Sequence, residues 1–141
     1  MKKKKILALA LFAMTAILSL QSVSPCLHYE PEIVELKGII VRRTIPGPPN
    51  YEDMSKGDAP ETYWILVLKK PRCVDTQAED GININEANVK EIQLVFSGNA
   101  DYERYKNFIG KKVSVSGTLF HAHIGHHHTA VLLMVQNIRL N

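Results

Sequence analysis

The chain has 141 residues, 45% of them hydrophobic and 22% charged, which suits one globular domain and excludes an intrinsically disordered protein. Its formal charge of +3 comes from the N-terminal end: removing Lys2 to Lys5 from the 17 basic residues leaves 13 against 14 acidic ones, a net charge of −1. A nucleic-acid binder needs clustered cations to displace phosphate counterions, whereas here they pair only at Arg42–Arg43, Lys69–Lys70 and Lys111–Lys112, so DNA and RNA are excluded as expected partners.

In chain order, four lysines precede an uncharged apolar run from Ile6 to Leu20, followed by small and polar residues at Ser22 to Ser24. This is the pattern of a secretory signal peptide over residues 1–24, with a single domain over 25–141 and a periplasmic or secreted destination. The apolar run falls short of the roughly 20 residues that span a bilayer, so no stable membrane span is expected after cleavage. Lipidation of Cys26 would need a small residue before it, and Pro25 stands there. Cys26 and Cys73 are the only cysteines, and in an oxidising compartment an even count favours one disulfide between them.

Residues 32–45 (EIVELKGIIVRRTI) are β-branched and partly alternating, a first strand with Gly38 placed for a bend. Residues 46–61 contain four prolines and two glycines and read as a long loop. A second strand covers 62–74, with Pro71 expected to end its regular pairing. Residues 89–96 alternate as a third strand. Between 99 and 110, Tyr102, Tyr105, Phe108 and Ile109 recur at helical spacing, with Asn99 or Asp101 as cap and Gly110 as stop. Strands over 111–123 and 128–140 follow, joined by a four-residue turn that sets His123 opposite His128.

The order β-β-β-α-β-β predicts an all-β protein with one short helix, an OB-fold-like five-stranded barrel. In that fold the loops joining strands one to two and four to five flank the usual binding face. The Pro-rich loop 46–61 and the His-rich hairpin 121–129 (HAHIGHHHT) would then be neighbours, although about sixty residues separate them.

Candidate ligand-binding residues are therefore Tyr51, Asp58, His121, His123, His126, His127, His128 and Thr129. The prolines would present Tyr51 with little entropy left to lose on binding. Neutral imidazoles suit zinc or copper, which makes His121, His123, His126 and His128 the candidate metal ligands. A solvated polar hairpin tip is the plainer alternative, because histidine clusters without cysteine or an H-E-x-x-H motif are weak metal signals. Carboxylates and hydroxyls that could serve catalysis are scattered, at Glu52, Asp53, Asp58 and Glu61 in the loop and Ser114, Ser116 and Thr129 toward the hairpin. No G-x-S-x-G or phosphate-cradling glycine loop is present, so no catalytic residue is assigned and the balance falls against an enzyme. Tyr63 and Trp64 face opposite ways on their strand, with Trp64 expected in the core.

The leading expectation is an exported binding module for a small ligand, a peptide or another exported protein. The alternative is a periplasmic zinc- or copper-binding protein, extending to metal-assisted hydrolysis.

The segments CLHYEP at 26–31, PGPPNYEDMSKGD at 46–58, ETYWILVL at 61–68, PRCV at 71–74 and GKKVSVSGTLFHAHIGHHHTAVLL at 110–133 together resemble the bacterial family described as domain of unknown function 4431. The resemblance implies an exported, compact protein and supports the pairing of Cys26 with Cys73. It draws attention to Pro46 to Asp58 and to Gly125 to Thr129, and carries no catalytic residue with it.

Overall fold

Alternation along the strands decides which side chains meet. The computed structural model describes residues 24–77 and 81–141, and the expected signal peptide lies outside them apart from Ser24. Six strands form: β1 (Leu27–His28), β2 (Ile33–Pro46), β3 (Pro60–Asp75), β4 (Glu86–Val95), β5 (Lys112–His121) and β6 (Val131–Leu140). One short helix, α1 (Asn99–Tyr105), sits between β4 and β5.

Five of the strands pair in a ring. β2 lies antiparallel to both β3 and β5, β3 antiparallel to β4, β5 antiparallel to β6, and β4 parallel to β6 closes the circuit. This is the OB-fold-like arrangement expected of the element order, although not a regular barrel. The closing contact between β4 and β6 spans three residue pairs, from Gln93↔Leu132 to Val95↔Met134, and β3 slips register twice against β4.

Inward positions on these strands, among them Leu36, Ile40, Leu66, Ile92, Leu94, Val113, Val115 and Leu119, build one hydrophobic core. Each such side chain removed from water contributes about 2 kcal/mol. Trp64 belongs to this core, with its ring edge-on to Phe96 and Tyr102 at 5.4 Å each. Tyr63, next along β3, lies on the opposite face near His128.

Several expectations change. Pro71 does fall where the regular pairing of β3 breaks, between Val67 and Arg72, but pairing resumes at Arg72↔Val89 and the strand runs one residue past its expected end, to Asp75. The regular helix stops at Tyr105 and continues as a 3-10 turn, Lys106–Phe108; its N-cap is Gly98, so neither Asn99 nor Asp101 caps it. Gly110 does end the segment, with φ of +79°.

The turn between β5 and β6 is longer than four residues. Strand pairing ends at His121↔Val131, one further backbone bond joins Ala122 to Ala130, and His123 does not face His128. A sixth strand, too short to read from pattern, comes from Leu27–His28, which pairs parallel to Val74 and Asp75 beside the Cys26–Cys73 disulfide.

β5 bends where its register shifts between Ser116 and Gly117. A β carbon on Gly117 would overlap the Met134 carbonyl oxygen, so only glycine lets the two backbones approach this closely. Gly117→Ala is expected to lower stability by about 2–3 kcal/mol in urea unfolding, without change in the slope.

Candidate functional site

The tip of the hairpin, residues 123–126, is exposed to solvent. The residues linking β5 to β6 fold back over the outer face of β3 and β4, and one buried side chain on β4 holds them there. Gln93 accepts at Oε1 from the His128 N–H (2.8 Å) and donates from Nε2 to the His126 carbonyl (2.9 Å). Its own backbone N–H donates to Thr129 Oγ1 at 2.9 Å, and Thr129 in turn donates to the Val131 carbonyl at 2.7 Å. Ile65 and Leu132, buried yet outside the main core cluster, are neighbours of Gln93 across the sheet. A buried amide whose donor and acceptor are both used costs little, whereas its loss strands two backbone groups.

The Pro-rich loop has its own internal fastening. The Asp58 carboxylate, buried, accepts from the backbone N–H groups of Asn50 (2.8 Å), Glu52 (2.8 Å) and Asp53 (2.9 Å). Those bonds, the one from Asp53 foremost, hold its pKa below the usual carboxylate value. Backbone bonds from Gly47 to Ala59 and from Ala59 to Pro48 join the two arms. Asp58 thus shapes the loop from within instead of facing a ligand. The shaped loop presents Tyr51 at φ of +60°, a left-handed conformation that costs a non-glycine residue roughly 1–2 kcal/mol.

Loop and hairpin meet at Tyr51 and His126. The Tyr51 hydroxyl lies 3.3 Å from His126 Nε2, the rings are edge-on at 5.5 Å, and Gly125 rests on the tyrosine ring. His126 Nδ1 is 2.9 Å from the Glu61 carboxylate at the start of β3. An ionised carboxylate can only accept, so Nδ1 donates to Glu61, while Nε2 is the atom that pairs with the Tyr51 hydroxyl. Glu61 also accepts from the Tyr63 hydroxyl; this bond, followed by that from His126, keeps the carboxyl below its ordinary pKa.

His128 packs on Tyr63 with ring centroids 4.0 Å apart. Its Nε2 is buried without a hydrogen bond, 3.9 Å from Glu61, and burial is the main cause of its lowered pKa.

The remaining histidines belong to other clusters. His121 directs Nε2 at Glu86 (2.9 Å) and Nδ1 at the Ala122 carbonyl (3.0 Å), and Tyr29 stands edge-on to its ring. His123 and His127 pack edge-on at 4.7 Å, with Phe120 against both. Burial, then the neighbouring His123, lowers the His127 pKa.

The four histidines expected as metal ligands are therefore divided among three places. Among the described residues no three His, Cys, Asp or Glu side chains are arranged to hold a metal ion. Ser114, expected toward the hairpin, bonds Asn141 at the far end of β5.

The junction borders a cleft of about 450 Å³ on the outer face, lined by Glu61, Tyr63, Tyr102, Ile124 and His126. Glu61 was legible only as one scattered carboxylate, and Gln93, Tyr102 and Ile124 carried no signal of a site. A second cleft of about 460 Å³ lies across the hairpin, between Phe120, His121, His123, His127 and Met134.

The family model described as domain of unknown function (DUF4431) matches residues 91–139, from within β4 through the hairpin to β6. Over those residues the chain is similar to the DUF4431 family. The DUF4431 match takes in Gln93, α1 and every hairpin histidine, while Tyr51, Asp58 and Glu61 precede it. Comparison with curated proteins returned no match.

Two predictions follow from the clamp and the burial. Gln93→Ala is expected to cost about 2 kcal/mol, with hydrogen exchange accelerated selectively at residues 126–129. Because folding depresses the pKa values of His127 and His128, stability is complete above the unfolded value of about 6.5 and falls as pH drops through it. The melting temperature of the wild type is expected to decline between pH 7 and pH 5, and that of the His127→Gln/His128→Asn variant to decline less.

Proposed function

We propose that this protein is an exported OB-fold-like binding module, whose ligand sits in the cleft between the loop 46–61 and the His-rich hairpin. The observation that carries the reading is the Tyr51–His126–Glu61 junction, which joins two distant loops at the edge of a cleft on the face that OB-folds use for ligands. Export is supported by the N-terminal lysines and apolar run, and by the Cys26–Cys73 bridge.

The lining sets the ligand chemistry. Glu61 is ionised and lines the cleft together with Tyr63, Tyr102 and Ile124. A cationic group for the carboxylate joined to a flat apolar surface for the rings matches those walls. An aromatic amine or an arginine-containing peptide has both features. Nothing in the cleft pairs a nucleophile with a free base, since Glu61 already accepts from Tyr63 and His126, so binding without reaction is the function proposed.

The test is titration with tyramine and with Arg-Tyr dipeptide, followed by histidine side-chain NMR. Saturable shifts are expected at His126 and His128 and not at His121. The Tyr51→Ala/His126→Ala variant should lose at least tenfold in affinity, with its melting temperature within a few degrees of wild type, since both residues lie toward the surface. Shifts centred on His121, or none at any hairpin histidine, would defeat the proposal.

A further inference from the structure

At the other end of the strands lies a surface that the cleft does not use. On the outward face of β2 and β3, Ile39 pairs with Val67, and on the other side Ile39 pairs with Lys112 of β5. One step beyond the Gly38↔Leu68 pair, Lys37 and Lys69 flank the same seam. Ile39 is 39% exposed. These side chains border a shallow groove of about 410 Å³ whose floor is Ile39 and Val67 and whose rim is Lys37, Lys69 and Lys112. An adjoining cleft adds Lys70 and Arg72.

Five of the 13 cations in a nearly neutral stretch of chain thus gather around one apolar strip. Like charges facing across strands are destabilising, and none of the four lysines is in an ion pair among the described residues. The acidic side chains beside them are Glu35, held by Arg139 at 2.8 Å, and Glu91, which faces Val67 across the sheet and is held by Arg43. Folding alone gives no reason to set these cations together.

From this geometry we infer that the Lys37–Lys69–Lys112 face docks on a bilayer surface carrying anionic phosphodiester headgroups, with Ile39 and Val67 meeting the interface. Two observations select a lipid surface over an acidic protein. The rim cations surround an open apolar strip, as at an interface where lysine stems lie along apolar surface and their ammonium groups meet headgroups. In addition, Ser24 lines the adjoining cleft with Lys37, Lys69 and Lys70. The described part of the chain therefore begins, at Ser24, beside this face.

The inference is independent of the cleft near Tyr51, and its test touches none of that cleft's residues. The protein as the cell releases it, wild type and variants with the same N-terminus, is sedimented with phosphatidylglycerol–phosphatidylcholine vesicles and with phosphatidylcholine alone. Wild type should bind the anionic vesicles, and progressively less as salt is raised. The Lys37→Gln/Lys69→Gln/Lys112→Gln variant should partition roughly a hundredfold less, about fivefold for each lysine. Lys→Arg at the same three positions should restore binding, and guards against a folding defect in the glutamine variant. Ile39→Ser should weaken partition with its salt dependence intact.

Equal partition of wild type and glutamine variant overturns the inference, as does equal binding to both vesicle types. Tighter binding to polyglutamate than to vesicles would replace the lipid by an acidic protein. Loss of vesicle binding in millimolar glycerol phosphate would mark the face as a site for a soluble phosphate instead.

Discussion

One buried amide decides where the histidines go. Without Gln93, the seven residues between Ala122 and Ala130 would have only one backbone bond, Ala122 to Ala130, to close their base. With it, the carbonyl of His126 and the N–H of His128 are fixed to β4, and the hairpin becomes a wall over the outer sheet face. Every subsequent contact at the junction needs that placement, because His126 must already stand over β3 for one ring nitrogen to reach Glu61 and the other Tyr51.

The loop that meets the hairpin is built by a different device. A single carboxylate, Asp58, gathers three backbone N–H groups and so converts a proline-rich segment from a connector into a shaped element. The strain held at Tyr51 is tolerated because both flanks of that residue are fixed, on one side by Asn50 and on the other by Glu52. The preformed loop and the hairpin then need only a small contact area to meet, at Tyr51 and His126, on the border of the cleft.

The strands were readable because each has one inward face, and period-two alternation records that directly. Helix α1 was readable for the same reason, through the spacing of Tyr102 and Tyr105. The meeting of the Pro-rich loop with the hairpin was also legible, since element order alone implied it.

What stayed hidden depends on partners distant in sequence. Gln93 sits in EIQLVF as an ordinary polar outward position, and nothing local tells that its amide meets backbone 33 to 35 residues later. The division of the histidines was hidden as well, because His121 belongs to a strand and turns toward Glu86 while its neighbours belong to the folded-back connection. Strand β1 is two residues long and exists because Cys26 is held to Cys73, a constraint that no propensity encodes.

The polarity of the strands separates the two surfaces. β3 carries Glu61 and Tyr63 near its start and Lys69 eight residues after Glu61, a span of about 26 Å at 3.3 Å per residue, and β5 likewise runs from Lys112 to His121. A body resting on its lysine end would hold the tyrosine-walled mouth a full molecular height above the plane of contact, open to solutes diffusing past. Attachment and capture would then make no steric demand on each other, and each could be strengthened or lost without disturbing its counterpart.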